Sequence, residues 1–470
     1  MPKSIFQGKT KQLIILLIVF SPLLMSTFLQ WHQLYLKGCE LNPDSHQYIA
    51  FSTTRAALYP LFIRIVYLFN ESPEAICFSQ ILTWLLLSIV ALRIFSKYFP
   101  PSLLFIISLL FAVNPAIWQY GRHVYTEALM IGFYNLFIAQ LFTICFVKEA
   151  KEKSRLLEIF FYAGICVAQA SLKPNLWALI LPFFFISILQ KNLNFKRTSA
   201  LLSGLLAFSL LLKTASLPFD KEKGFSLMSV LAFSKASFSL SQDLKNEYPE
   251  DLQLKNRMTP IFEYLSKMPF ATEIKFICGY EDYIQFGNNW FTEIYNIPKG
   301  TEKYYDEMMK KSITLISHHP IGYLKVVLKD YIGLWLPYAH LPYISSGEMD
   351  RRIKDNSPPY YNEFFPFIER FLQIRHNYGL SIALEYFYVI NFFIIIFHSA
   401  ICLYFRIINA LNVFLMSLGL SVNLAFFTTA IITVNTPRYS LTCFGLISIF
   451  DLLLLVAVLK SSSIIKTQPL

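Results

Sequence analysis

Apolar residues in this chain do not alternate with polar ones. They come in long runs separated by short charged segments. A helix needs about 20 apolar residues to cross the roughly 30 Å hydrocarbon core of a bilayer. Runs of that kind lie near 12–31, 76–95, 101–119, 126–147, 156–172, 175–190, 198–217, 383–405, 408–433 and 438–460. The pattern predicts an all-α polytopic membrane protein with 10–11 transmembrane helices, the eleventh depending on 321–340. That stretch, IGYLKVVLKDYIGLWLPYAH, carries Lys325, Lys329 and Asp330 and reads as an interfacial amphipathic helix. The fifth and sixth runs are short, with a break expected at Lys173-Pro174. Three parts follow: an N-terminal transmembrane module over 1–217, a mostly helical polar segment over 218–382, and C-terminal transmembrane helices over 383–470.

Charge orients the runs. Lys3, Lys9 and Lys11 precede the first, Arg93 and Lys97 follow the second, and KEAKEKSR (148–155) follows the fourth. KNLNFKR (191–197), Arg406, Lys460 and Lys466 continue the series. With ten crossings, all fall on one side, so the positive-inside rule makes that side and the N-terminus cytoplasmic. The first loop (32–75), the turns near 121–126 and 173, the long segment 218–382 and the turn at 435–438 then face outward.

Composition agrees with this reading. The chain of 470 residues is 55% hydrophobic and 15% charged, and the charged share of a soluble protein is about 25%. A net charge of +11 could point to nucleic acid, but many of the basic residues sit between apolar runs and no basic patch carries interleaved aromatics. Seven scattered cysteines include no C-x-x-C and no zinc spacing. Most lie in apolar runs and read as packing residues. Cys39 and Cys278 lie in outward segments and are expected as free thiols, with a disulfide between them as the alternative.

Polar groups gather where the apolar helices end on the outward side. Asp44 and Ser45 stand in LNPDSHQYIAFSTTRAALYPLF, Arg122 and Glu127 in GRHVYTEALM, Lys173 in SLKPN, and Arg438 with Tyr439 in NTPRYS. Each alone has a plain explanation. An arginine can snorkel to headgroups, Glu127 can sit at a helix N-terminus, and Lys173 can anchor at the interface. Together, two acids and three bases near one surface suit a charged, phosphate-bearing substrate. His123 and Glu127, four apart, would share a helix face as half of a metal site, but no third ligand is apparent and interfacial hydrogen bonding is the better reading. His318-His319 before Pro320 reads as a helix end, with capping or surface exposure expected over metal binding.

D-S-x-x-Y and R-x-x-x-Y-P after the first run (Asp44, Ser45, Tyr48, Arg55, Tyr59, Pro60), R-x-x-x-x-E (Arg122, Glu127), the Lys173-Pro174 turn, a long outer segment and a late P-R-Y resemble the GT-C superfamily. These are integral membrane glycosyltransferases that use polyprenyl-phosphate sugars, among them the protein O-mannosyltransferase and aminoarabinose-lipid A transferase families. The resemblance covers the layout of most of the chain and implies a GT-C-like bundle. By position it implies Asp44 as general base and Glu127 as the acid of the second outer loop. Lys173, Arg438, Arg122 and Arg55 would face the donor phosphate, and Ser45, Tyr48, Tyr59 and Tyr439 would contact substrate. Several relatives have two adjacent acids in the first loop, whereas here Ser45 follows Asp44 and the nearest other acid is Glu40. No cofactor is therefore firmly implied, and a divalent metal stays open.

The implied chemistry is direct displacement. A carboxylate takes the acceptor hydroxyl's proton while arginine and lysine stabilise the departing lipid phosphate. A single displacement inverts the anomeric centre, unlike the two-step route of retaining enzymes. The implied partners are a polyprenyl-phosphate sugar, a lipid, glycan or protein acceptor, and membrane lipids, without nucleic acid. The implied location is a bacterial plasma membrane with the site on its outer, periplasmic face. A transporter or flippase of lipid-linked sugars and a non-catalytic membrane subunit are the alternatives.

Overall fold

The structure is a computed structural model. It describes residues 3–461 except 42, 53–54, 147–151, 193, 220–226, 242–247, 267–289, 299–301, 337–377 and 433–436. The described residues are almost entirely helical and form no strand, and eight helices are long and apolar enough to cross a membrane. The protein is an all-α, multi-pass membrane protein.

The chain divides into two compact units. The first comprises Met1–Lys223, Ile394–Ala425 and Leu441–Leu470, and the second comprises Gly224–Phe393 and Phe426–Ser440. In the first unit α1 (Lys3–Lys37) is followed by two short helices, α2 (Pro43–Ile49) and α3 (Leu58–Tyr67). Then come α4 (Pro73–Phe95), α5 (Pro101–Ala112), α6 (Pro115–Tyr120), α7 (Glu127–Phe146) and α8 (Glu152–Leu172). A 3-10 helix (Pro174–Ile180) leads into α9 (Leu181–Leu189), then α10 (Phe195–Ala215). Three prolines at helix starts, Pro73, Pro101 and Pro115, stand where the missing N–H would have no intrahelical partner. Ser72 caps α4 through Ala75 N at 3.2 Å, while Asn70 Oδ1 accepts from Ser72 N at 3.0 Å. Asn70 and Ser72 thus fix the start of α4.

Helix α7 is the buried centre of the first unit. It packs against α4, α6, α8 and the last helix, and even its polar residues Asn135 and Gln140 are buried. Asn135 Nδ2 donates to Ser88 Oγ at 2.9 Å. Helices α8 and α10 meet closely at Gly204, where a Cβ would lie 2.7 Å from Ala163 Cβ and 2.9 Å from Phe160 O. Hydrophobic driving force is absent between helices in lipid, and small residues at contacts let backbones approach.

The second unit holds α11 (Leu227–Ser237), α12 (Leu252–Ser266), α13 (Trp290–Tyr295), α14 (Glu302–His318) and α15 (Pro320–Leu334). Phe233, Phe238, Met258, Phe291, Met308 and Val326 are among its buried core. Helix α16 (Tyr378–Tyr404) runs from the second unit into the first, and α17 (Ala410–Ile432) runs back. Helix α18 (Pro437–Thr442) precedes α19 (Phe444–Ser461).

Two expected crossings come out shorter than their apolar runs. Residues 175–190 become the 3-10 turn and α9, because Pro174 and Pro182 each remove a backbone donor. The run 438–460 is broken at Cys443 between α18 and α19. Pro174–Leu189 and Phe444–Leu459 are thus shorter apolar helices beside the eight long ones. Helix α15 is not among the eight; its 15 residues reach about 22 Å, less than a hydrocarbon core.

Asp330 does not lie on a solvated face of α15 as its sequence suggested. It is fully buried and ion-paired with Lys235, which also donates to the Ala430 carbonyl. The exposed side of α15 carries Ile321, Leu324, Leu328 and Ile332 at helical spacing, together with exposed Lys325. His318 and His319 do mark a helix end, but they are turned inward and not surface-exposed. His318 Nδ1 lies 2.9 Å and His319 Nε2 3.3 Å from the same Asp251 oxygen, and Tyr248 stacks on His318.

Candidate functional site

The ends of α1, α4, α6, α7 and α8 gather at one end of the first unit. Helix α1 stops at Lys37, and Gly38, at φ +72°, takes the left-handed turn that a side chain would resist. Cys39 then forms a disulfide with Cys77, five residues into α4. This corrects the expectation of a free Cys39 or a Cys39–Cys278 bridge, and of Cys77 as a packing residue; Cys278 lies outside the described residues. The apolar run hid Cys77, although its position near the start of the helix placed it at the same end as Cys39.

The next residue continues the tie. Glu40 N donates to Arg122 O at 2.9 Å and Val124 N donates to Glu40 O at 3.2 Å, a single parallel bridge between the two loops. The Glu40 carboxylate pairs with Arg122 and lies 3.2 Å from His123 Nδ1. Ser45 Oγ, fully buried on α2, donates to Val124 O at 3.1 Å. Gln80, a polar residue inside an apolar run, completes the join. Its Nε2 donates to Gly121 O at 2.8 Å and His123 O at 2.7 Å, and its Oε1 accepts from Tyr59 at 2.8 Å. Burial holds the His123 imidazole below its ordinary pKa, against the pull of the Glu40 carboxylate.

The aromatic residues of the first loop form a packed cluster. Tyr59 is fully buried and meets Tyr48 edge-on at 5.0 Å. The Arg55 guanidinium lies 4.8 Å above the Tyr48 ring, and its Nε donates to Gln47 at 2.7 Å. Arg55, Tyr48 and Tyr59 therefore build the loop's interior. Asp44 is the second residue of α2, one position before buried Ser45, and its side chain lies outside the described ones.

Glu127 opens α7 at 1% exposure. Lys173, the residue before the 3-10 helix, reaches it with Nζ 2.7 Å from Oε1, and Thr126 Oγ1 is 3.4 Å from Oε2. The pair joins the second and third loops of this end, and the charge of Glu127 is felt at His123 and Tyr59. A buried carboxylate would be costly without its ammonium partner. His123 precedes α7 instead of lying on it, so His123 and Glu127 do not share a helix face. Among the described residues no group of three or more histidine, cysteine, aspartate or glutamate side chains is placed to hold a metal.

Arg438 and Tyr439 belong to α18 in the second unit, and the Arg438 side chain lies outside the described ones. Of the ten expected site residues, Ser45, Tyr48, Arg55, Tyr59, Arg122, Glu127 and Lys173 are described within one unit and joined through the contacts above. Sequence reasoning missed Gln80 and the Cys39–Cys77 bond. A glutamine in a run that otherwise needs none was the available signal.

The chain is thus a multi-pass helical membrane protein with a cross-linked polar end built from three connecting segments. No family model, curated protein or solved structure matches it.

Proposed function

We propose that the protein is an inverting glycosyltransferase that moves a sugar from a polyprenyl-phosphate donor to an acceptor at the outer face of a bacterial plasma membrane. One observation carries the reading. The first loop, with Asp44 on its short helix, is bonded to the loop holding Arg122 and Glu127, and Glu127 to Lys173. Three segments far apart in sequence thereby supply acids and bases at one end of a helical bundle, where a lipid-anchored phosphate would arrive. The Cys39–Cys77 disulfide supports an oxidising, outward location for that end.

In this reading Asp44 takes the acceptor's proton, and the negative charge growing on the lipid phosphate is met by Arg122 and Lys173. Glu127, with Lys173 on one oxygen, holds that lysine in place and is not itself the base. Arg55 and the two tyrosines hold the loop that carries Asp44.

The test is sugar transfer by the purified chain in liposomes, supplied with a panel of polyprenyl-phosphate sugars and a crude acceptor extract. Wild type is expected to consume one donor, and Asp44→Asn to bind that donor and fold but transfer at least 100-fold more slowly, the range of a lost general base being about 10²–10⁴. Equal turnover would remove Asp44 from the mechanism. A second reading, a transporter of lipid-linked sugars, is favoured by the fully buried Lys235–Asp330 pair, since buried ionisable residues often mark transport paths. It predicts movement of labelled donor between leaflets without its consumption.

A further inference from the structure

Helix α15 has two faces, and neither is the polar face of an ordinary surface helix. Val326, Val327, Asp330, Gly333 and Leu334 are buried on one side. At about 100° per residue, Ile321, Leu324, Leu328 and Ile332 fall within roughly 80° of arc on the other, and all four are exposed. Lys325, also exposed, stands at the edge of this stripe. The helix's only acid, Asp330, is turned away from it onto Lys235. Scattered exposed aliphatics need no explanation, but a contiguous stripe of four marks a face that something apolar covers.

The contacts of α15 say where that face lies, and all of them fall within the second unit. Tyr323, in the first turn, donates its hydroxyl to Ile431 O at 2.7 Å, and Ile431 is the last residue of the apolar span Ala410–Ile431. Trp335, just past the last turn, meets Phe426 at 4.9 Å and Phe392 at 5.2 Å between ring centroids. Phe426 lies inside that same span, about 8 Å from its end at 1.5 Å per residue. Phe392 lies about 9 Å inside the span that begins at Tyr386. From Tyr323 to Trp335 the helix advances about 18 Å, while its contacts descend only about 8 Å along α17. It therefore runs closer to the membrane plane than to the normal. The depth matches the roughly 5–10 Å at which in-plane amphipathic helices sink their apolar face. A helix that packs one side against the ends of two crossings, at that depth, has acyl chains on its other side. Lysine beside such a stripe suits anionic headgroups at the same level.

We infer that α15 is seated in one leaflet of the bilayer, near its plane, with Ile321, Leu324, Leu328 and Ile332 against lipid acyl chains and Lys325 at the headgroup phosphates. The interfacial seat expected of this stretch thereby acquires a lipid-facing side and a depth. It anchors the second unit to the membrane whether or not the chain transfers sugar.

The test measures depth. Leu324→Cys, Lys325→Cys, Leu328→Cys and, on the charged helix α14, Lys303→Cys are made singly in the full chain, labelled with a thiol-specific nitroxide and reconstituted in phosphatidylglycerol–phosphatidylcholine vesicles. All four positions are exposed, so none of the substitutions removes a buried side chain. The unsubstituted chain carried through the same labelling supplies the background, and melting temperatures equal to wild type show that each variant folds. Collision of the nitroxide with oxygen, which concentrates in lipid, is compared with collision with a water-soluble nickel chelate. The oxygen-to-nickel ratio is expected to be about tenfold higher at 324 and 328 than at 303, with 325 between them. Ratios at 324 and 328 equal to that at 303 would mean that the stripe faces water. Exclusion of both quenchers from 324 and 328 would mean that protein covers it. Either result overturns the inference, and a ratio at 325 equal to that at 303 would remove Lys325 from the headgroup level.

Discussion

Glu127 and Lys173 illustrate how single residues were legible in kind but not in partnership. Both stood out as charges at helix ends, but nothing in their local sequence said that they would meet at 2.7 Å, with Glu127 almost wholly buried. Lys173→Met should therefore strand a buried carboxylate and cost about 3–5 kcal/mol, whereas Glu127→Leu/Lys173→Met should recover much of that loss. Thermal unfolding in detergent checks this; a double variant no more stable than the single one would refute the pairing argument. His123 gives a pH prediction. Burial lowers its folded pKa below the ordinary 6.5, so just below that pH the unfolded chain binds more protons. Stability contributed by neutral His123 is then present above about pH 6.5 and lost as pH falls through the lower folded value. Wild type should lose more melting temperature between about pH 8 and pH 5 than His123→Gln does, and equal losses would place the titration elsewhere.

At the level of elements, apolar runs located the helices well, because a bilayer demands length and apolarity together. They failed where chain geometry overrides hydropathy, at Pro174 and Pro182 and at the break before Phe444. At α15 several apolar residues face outward while Asp330 is turned inward onto a partner lysine on another helix, which its local sequence does not announce. The tie between α1 and α4 is testable directly. The Cys39–Cys77 bond closes a separation of 38 residues, for which the chain-entropy account gives about 4 kcal/mol. Cys39→Ser and Cys77→Ser should each lower the melting temperature, and adding reductant should lower it in wild type but not in the variants. The α8–α10 contact offers a second element-scale test. Gly204→Val would push carbon into Ala163 and the Phe160 backbone, an overpacking cost of about 1–3 kcal/mol. Gly38→Ala, where nothing stands within 4 Å, tests turn geometry instead of packing.

For the whole molecule, the sequence declared the class and, through its charges, an orientation, while the assembly of the polar end depended on contacts no periodicity encodes. The disulfide, the Glu40 bridge and the Gln80 join all connect segments roughly 40 to 80 residues apart, and each is made by side chains or backbone that an isolated loop would leave solvated. The two ends of the first unit also differ in chemistry. One has a disulfide and paired acids and bases, and the other an excess of arginine and lysine, seen in Arg93, Lys97, Arg155 and Arg197. The proposed orientation draws on both, since positive charge is retained on the cytoplasmic side and disulfides persist on the oxidising side. The consequence is a labelling pattern. In intact cells, a cysteine placed at Glu71 should react with a membrane-impermeant maleimide, and one at Lys97 only after the membrane is permeabilised, each beside a chain whose free native cysteines are replaced. Cysteines 145, 166, 402 and 443 are buried, so this background is low among the described residues. Reaction at position 97 in intact cells would reverse the orientation and carry Asp44 to the cytoplasmic side, where neither an outward-facing lipid-linked donor nor a lasting disulfide would be expected.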